Sequence, residues 1–463
     1  MIRTLRSLVP SHVLTLLVTE AVLIFCSFVL ACYLVLDVDP AVYLLYDGGI
    51  GRICLIELTL LVGVYLQDLY GEVQVRSRIL LVQQGLQTVG IAILAQALFG
   101  YVNPDLILPR WVVVLGSGLS LLCFVGWRLF YSGVMLRAIG EERVLFLGSN
   151  ALAVEIAQHL VGHPEFGMRV VGCVDDEDGG DAPREGPDRL AGISELRQVV
   201  ESTRPDRIIV GVKERRGNVP LMDLLDLRFS GLRIEEAVTT YESVFKRVSL
   251  NDLRPAQLIY SGELGPRRSS LGLQFAYSGL MALATAIVCA PLMLLVALAV
   301  KLSSRGPVLY RQTRVGWQGR IFTLYKFRSM HPNAEAATGA VWAVKDDPRV
   351  TAVGRWLRRL RLDELPQFLN VLRGDMSLVG PRPERPEFVE ELSARIPFYR
   401  QRLCVRPGIT GWAQINHKYG DTLEDAATKL EYDLYYIKHL SLALDLYVLF
   451  HTLKTVVLSR GAQ

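Results

Sequence analysis

The sequence predicts a membrane protein of mixed class, α plus α/β. It has a four-helix transmembrane bundle, a cytosolic α/β domain, and a mostly helical C-terminal domain carrying a further, re-entrant membrane helix. Three observations carry this. Four apolar runs fill the first third of the chain, each near the ~20 residues that cross ~30 Å of hydrocarbon. Alternating strand and helix patterns follow them. A stretch of 32 apolar residues, Leu271–Leu302, then opens the last part. Hydrophobic residues make up 51% of the 463, too many for an ordinary soluble protein.

The four runs lie at about Val13–Leu36, Ile50–Leu66, Ile79–Val102 and Trp111–Tyr131. Soluble buried helices can mimic one such run but not four in series. Glu20, Glu57 and Arg128 sit inside them and are expected to pair within the bundle rather than to mark a transport path. Arg3, Arg6, Arg76, Arg78, Arg137 and Arg143 flank one side of the bundle, whereas the opposite loops carry only Arg52 and Arg110. By the positive-inside rule both ends of the bundle face the cytoplasm. The seven cysteines are scattered with no C-x-x-C, so neither a disulfide frame nor a zinc site is expected. The first apolar run is long and lacks a cleavage site, which argues against a cleavable signal.

The segment from Arg143 to Lys213 alternates a buried strand, a Gly/Ser/Asn turn and a helix, then two further strands. It looks like half of a Rossmann-type domain. Its dinucleotide fingerprint is degraded, because Asn150 stands where a second glycine would let a pyrophosphate approach. A regulatory or dimerising module is expected rather than a cofactor site, with Asp175–Pro187 a flexible excursion. The domain plan is 1–138 transmembrane, 139–247 Rossmann-like, 248–270 connecting, and 271–463 C-terminal, with the membrane helix at 271–302.

As one straight helix, Leu271–Leu302 would be about 48 Å long, more than a span needs. Pro291 lacks an N–H, so a break at Ala290–Pro291 is expected. Arg267 and Arg268 precede the stretch and Lys301 and Arg305 follow it, placing both ends on one face. A helix that dips into the leaflet and returns satisfies this. The last apolar helix, about Leu440–Leu458, is read as interfacial, as is the basic run Arg355–Arg361 with Trp356.

The chemistry concentrates in LRRLRLDELPQFLNVLRGDMSLVGPRP (357–383). Two adjacent carboxylates, Asp363 and Glu364, lie between a basic run and a Gly-Pro-Arg-Pro turn. Arginines bind phosphate through a planar fork, and neighbouring positive charge keeps a carboxylate ionised. An ionised Asp can attack phosphorus, and a neighbouring Glu can hold Mg²⁺. Lys326 and Arg328, and Arg349 in the Asp347-Pro348-Arg349 turn, are candidate phosphate ligands, with Arg358 and Arg361. Arg406, Trp412 and Gln414 suit either a sugar or base pocket or plain packing. His331, His417 and His439 have no metal-ligand spacing.

The last ~195 residues resemble the monotopic phosphoglycosyl transferases of bacterial exopolysaccharide and O-antigen synthesis. The likeness runs in ordered blocks: GPVLYRQTRVGWQGR, YKFRSM, the 346–383 stretch, RPGITGWAQIN and YDLYYIK. The whole chain looks like the large form of that family, with four membrane helices and a Rossmann-like insert ahead of a monotopic catalytic domain. The resemblance implies transfer of a sugar-1-phosphate from a UDP-sugar to undecaprenyl phosphate, with UMP released and Mg²⁺ as cofactor. It makes Asp363 the nucleophile, Glu364 the metal-holding partner, and Pro381-Arg382-Pro383 a substrate-site turn. The family break is Ser-Pro where this chain has Ala290-Pro291. Its Lys/Arg-x-x-Asp helix start is absent here, so no anchoring contact is expected near Gln274.

The implied setting is the bacterial inner membrane with the active site facing the cytoplasm and no nucleic-acid partner. The large soluble insert suits a homodimer. A membrane nucleotide-sugar dehydratase would need a Tyr with Lys four residues on, which this sequence lacks. A non-enzymatic scaffold of the polysaccharide machinery is the alternative from another class. A transporter would need an inverted repeat.

Overall fold

The computed structural model describes residues 11–67, 69–70, 78–135, 141–163, 166–176, 186–211, 220–253, 266, 268–331, 349–417 and 422–457. Arg267, Asp347, Pro348 and most of the 175–187 linker lie outside them. One compact unit covers Val9–Ala237 and another Val238–Gln463. Five helices are long and apolar enough to cross a membrane.

In the first unit, helices α1 (Ser11–Val35), α3 (Gly49–Leu66), α4 (Arg78–Val102) and α5 (Arg110–Phe130) reproduce the four expected runs, with a short α2 (Pro40–Leu45) between the first two. α1 packs on α3 and α5, and α4 packs on the same two, closing a bundle. Phe28, Ile53, Ile56, Ala92 and Val112 fill its core from all four long helices. Arg128 and Glu20 pair inside it at 2.5 Å. The Tyr70 hydroxyl donates to the same carboxylate at 2.7 Å, and Arg128 also donates to the Leu69 carbonyl. Two opposite charges and their hydrogen bonds thus compensate one another in an apolar bundle, a packing role.

The α/β part is fuller than its sequence signals. Five parallel strands, β1 (Glu142–Leu147), β2 (Met168–Val174), β3 (Arg189–Ala191), β4 (Arg207–Val210) and β5 (Arg233–Glu236), lie in the order β3-β2-β1-β4-β5. Helices α6 (Ala151–Gly162), α7 (Leu196–Thr203) and α8 (Leu221–Phe229) occupy the crossovers, the arrangement of a doubly wound sheet. The turn after β1 is satisfied internally. The Asp175 carboxylate accepts from the Ser149 N–H at 2.9 Å and from its hydroxyl, and Asn150 caps α6 through the Ala153 N–H at 2.9 Å. The helix α9 (Ala237–Phe245) follows β5.

The second unit is organised on one long helix, α10 (Arg268–Ser303). It holds Pro291 inside it, with helical turns on both sides of the Ala290–Pro291 position where the break is expected. A proline removes one donor from the ladder, and the flanking turns here carry the helix past it. The C-terminal half of α10 buries Val296 and Val300 against Phe327 and Leu357. Those two come from the hairpin of β6 (Leu309–Val315) and β7 (Ile321–Phe327) and from α11 (Ala352–Arg359). A 3₁₀ turn, Leu362–Gln367, leads into α12 (Phe368–Arg373). Strand β8 (Ser377–Val379) pairs in parallel with β9 (Gly408–Thr410), with α13 (Pro386–Arg395) between them. The short α14 (Trp412–Asn416), α15 (Leu423–Lys438) and α16 (Leu442–Val457) complete the unit.

The N-terminal half of α10 is anchored after all. Gln274 donates from Nε2 to Asp445 at 2.8 Å and to the Val379 carbonyl at 3.2 Å. Tyr436 donates to Asp445 at 2.7 Å, and Tyr277 donates to it as well. A neutral side chain thus ties the helix to β8 and α16, where a charged pattern was looked for. Burial pushes the Asp445 carboxyl up to about 6 against these three donors.

Candidate active site

The turn holding the two acidic residues is shaped by its neighbours. Thr351 caps α11 by accepting from the Gly354 N–H at 2.9 Å. Arg361 ends that run in the left-handed region (φ 56°), a conformation that costs a non-glycine residue about 1 kcal/mol or more. The chain therefore turns sharply and presents Asp363 and Glu364 in the first turn of the 3₁₀ segment. Asn370, fully buried in α12, fixes this turn to β7. It donates to the Thr323 carbonyl at 2.7 Å and accepts from the Tyr325 N–H at 3.1 Å.

Glu364 accepts from Lys326 Nζ at 2.8 Å and from the Arg382 guanidinium at 3.3 Å, both on Oε1. Burial pushes its carboxyl up, but Lys326, Arg382 and Arg361 together outweigh burial and hold it well below the usual range. Asp363 is 8% exposed. Burial raises its carboxyl above the ordinary 3.8 and the neighbouring Glu364 charge adds to this, while Lys326 and Arg358 oppose them. The two adjacent carboxylates thus have different environments. One is locked in ion pairs, and the other is buried beside cations, with a hydrogen bond from its own backbone N–H.

The expected site residues divide. Lys326, Arg358, Arg361 and Arg382 all converge on the carboxylate pair, with Pro381 and Pro383 flanking Arg382 in its turn. Arg358 also donates to the Ser329 hydroxyl at 3.0 Å. Arg328 is not among the charges acting on the pair; its described contacts lie at the end of α10. Its side chain is 7% exposed and donates to the Ser304 carbonyl at 2.8 Å and the Val300 carbonyl at 3.4 Å. It closes the C-terminal end of α10, where helix carbonyls lack partners and favour a cation. Alternation along β7 explains this: Lys326 and Arg328 share one face, but Arg328 lies past the strand end, over the helix. Arg349 joins the chain at 331 through its backbone, its carbonyl accepting from the His331 N–H at 2.9 Å.

Trp412 packs, its ring stacked on Tyr435 and its N–H given to the Lys246 carbonyl at 2.9 Å. Arg406 is held between the rings of Phe275 and Trp317 at 4.9 and 4.6 Å. Among the described residues no three or more His, Cys, Asp or Glu converge as a metal cluster. A Mg²⁺ that keeps waters and substrate phosphates needs only one or two carboxylates, and Glu364, whose two ion pairs both fall on Oε1, fits that demand. Sequence reasoning missed Asn370 and Gln274, which lie inside motif blocks or apolar runs and carry no charge to set them apart.

The bacterial sugar transferase model matches residues 273–459. The chain is 46% identical over 222 residues to a UDP-N-acetylgalactosamine-undecaprenyl-phosphate N-acetylgalactosaminephosphotransferase of Aeromonas hydrophila, covering 48% of this chain and 52% of that protein. It is 36% identical over 353 residues to an undecaprenyl-phosphate glucose phosphotransferase of Komagataeibacter xylinus, covering 73% of this chain and 63% of the relative. It is also 36% identical to a UDP-glucose:undecaprenyl-phosphate glucose-1-phosphate transferase of Escherichia coli K12, over 67% of each. The chain thus spans between about half and two thirds of the length of these relatives. The site lies within the matched region, and the chain belongs to the bacterial sugar transferases, the phosphoglycosyl transferase family that its C-terminal blocks resemble.

Proposed function

We propose that the protein transfers a sugar-1-phosphate from a UDP-sugar to undecaprenyl phosphate by way of a phosphosugar ester on Asp363. The observation that carries this is the buried Asp363 beside Lys326 and Arg358, next to a Glu364 already neutralised by Lys326 and Arg382. An Asp carboxylate oxygen attacks the β-phosphorus of the UDP-sugar. The new P–O bond replaces the bond to the bridging oxygen, and UMP leaves with that electron pair. A phosphate oxygen of undecaprenyl phosphate then attacks the same phosphorus and frees the carboxylate.

The protein's own residues account for most of this. Lys326, Arg358 and Arg382 place positive charge where negative charge develops on the transferring group. Their low-dielectric surroundings strengthen that effect relative to water. Glu364 would hold Mg²⁺ through its carboxylate; the ion supplies charge stabilisation on the diphosphate when bound. The apolar α10 and its basic ends support a catalytic part on the cytoplasmic face of the inner membrane, where a lipid phosphate meets a water-borne nucleotide sugar.

The test is UMP release by the purified protein in detergent with undecaprenyl phosphate, Mg²⁺ and UDP-glucose, UDP-galactose or UDP-N-acetylgalactosamine. Release with one sugar, lost in Asp363→Asn, supports the reading and names the donor. No release from folded protein with any of them removes it and leaves the scaffold alternative.

A further inference from the structure

The turn Pro381–Glu384 is held by an unusual set of donors. Proline at 381 and 383 leaves alternate residues without an N–H, so the turn cannot be fixed through a regular ladder. Its carbonyls are used instead, and four in succession are satisfied from elsewhere. The Gly408 N–H donates to the Pro381 carbonyl at 3.0 Å, and the Val315 N–H donates to that of Glu384 at 2.9 Å. Between them, Arg402 donates to the Arg382 carbonyl at 3.0 Å and Arg314 donates to the Pro383 carbonyl at 2.9 Å.

Both guanidiniums are themselves immobilised. Arg402 is 7% exposed, lies 2.8 Å from the buried Asp433 carboxylate and donates to the Tyr399 hydroxyl at 2.7 Å. Arg314 donates to Gln312 from Nε at 3.0 Å and from its terminal nitrogen at 2.6 Å. Burying a guanidinium is costly, and a neutral donor would satisfy a carbonyl as well. Two such groups converge on consecutive carbonyls of one short turn. The only cationic side chain on that turn is Arg382, which reaches Glu364 at 3.3 Å.

We infer that Arg402 and Arg314 are positioning residues that aim Arg382 at the catalytic carboxylates, with Asp433 and Gln312 holding them in place. The inference rests on the proposed catalytic role of the Asp363–Glu364 pair. Neither arginine needs to touch substrate. Arg402 fixes the Arg382–Pro383 peptide plane and Arg314 the Pro383–Glu384 plane after it, which together with the Gly408 N–H on the Pro381 carbonyl set where the Arg382 side chain leaves the backbone.

The test is a double-mutant cycle on the full-length protein in detergent. Arg402→Lys keeps the charge but loses the planar guanidinium, in which one terminal nitrogen reaches Asp433 and the turn while the other reaches Tyr399. We expect it to lower kcat for UMP release by about tenfold or more, the scale of loss from a misplaced catalytic contact, with KM for the UDP-sugar changed less. In an Arg382→Ala background the same substitution should have no further effect. Equal fold losses in both backgrounds would overturn the inference.

Hydrogen exchange supplies a readout that does not depend on activity. The amides of Arg382 and Glu384 should exchange faster in Arg402→Lys than in the wild type, while those of β8 and α15 stay as they were. Unchanged exchange at both amides would contradict the clamp, even if the protein released no UMP and the catalytic reading itself had failed. Arg314→Lys gives the same pair of readouts should Arg402→Lys fail to fold.

Discussion

Lys326 Nζ lies 2.8 Å from Glu364 Oε1, so one ion pair joins the end of β7 to the 3₁₀ turn that carries both acidic residues. Their side chains are 19% and 13% exposed, which places the pair in a poorly screened setting. Arg382 approaches the same oxygen from a separate turn at 3.3 Å. Glu364 is therefore the point at which three segments of the C-terminal unit meet.

Removing Lys326 should be felt in both stability and pH dependence. The folded Glu364 carboxyl lies below its ordinary 4.5, so it contributes stability above that value, which is lost as pH falls through the folded value. Lys326→Met leaves Arg382 as the main remaining counter-charge. It should cost about 2 kcal/mol at neutral pH and move the acid limb of activity upward. Thermal melts at pH 4 and 7.5 and a rate profile across that range check this. A variant as stable as the wild type at both pH values would show that the pair contributes nothing.

Asp363→Asn should separate activity from stability. Burial raises the Asp363 carboxyl above 3.8, so the folded state binds its proton more tightly than the unfolded chain. Stability therefore falls as pH rises from 3.8 through the raised value, and an uncharged isostere relieves that cost at pH 7. The variant should be inactive and melt at the same temperature or a few degrees higher. A melt several degrees lower would mean that the charge holds the turn together.

Gly354→Ala should be far more damaging than a surface glycine substitution. A Cβ at Gly354 would stand 1.9 Å from the Ser329 carbonyl oxygen. That oxygen also accepts from the Thr351 N–H at 3.0 Å, so the backbones cannot simply part. Displacing α11 would also carry Arg358 away from Ser329, to which it is bonded at 3.0 Å. A loss of about 2–3 kcal/mol with reduced turnover is expected. A calorimetric melt unchanged from the wild type would refute the close approach.

The sequence made the charged cluster legible and left its supports hidden. Asp363, Glu364, Lys326 and Arg382 were readable because charged residues recur at fixed offsets in ordered blocks. The contacts of Arg328 were not legible, because the strand ends after Phe327 and the chain delivers this cation to the last carbonyls of α10. Gln274 and Asn370 do their anchoring as neutral amides, and nothing in composition or spacing distinguishes them from other polar residues. The Ala290–Pro291 position is a proline inside one long helix, and the proline alone does not say how the helix lies in a membrane. The four long apolar helices of the first unit were readable almost to the residue because length and hydropathy alone define them.

The topology of α10 is open to a direct check. If the helix dips and returns, cysteines placed at Ser270 and Ser303 in a background lacking the native cysteines should both react with an impermeant thiol reagent from the cytoplasmic side only. Labelling from opposite sides would establish a full crossing.

The central claim is covalent catalysis by Asp363, and the most direct measurement omits the lipid. Wild-type protein mixed with Mg²⁺ and the donor UDP-sugar alone should release about one equivalent of UMP per active site in a burst. Digestion after Arg361 and Arg373 should then yield residues 362–373 heavier by one sugar phosphate, with fragmentation placing the addition on Asp363. No burst and no adduct, in protein that turns over once undecaprenyl phosphate is added, would contradict the account and point to direct transfer between the two bound substrates.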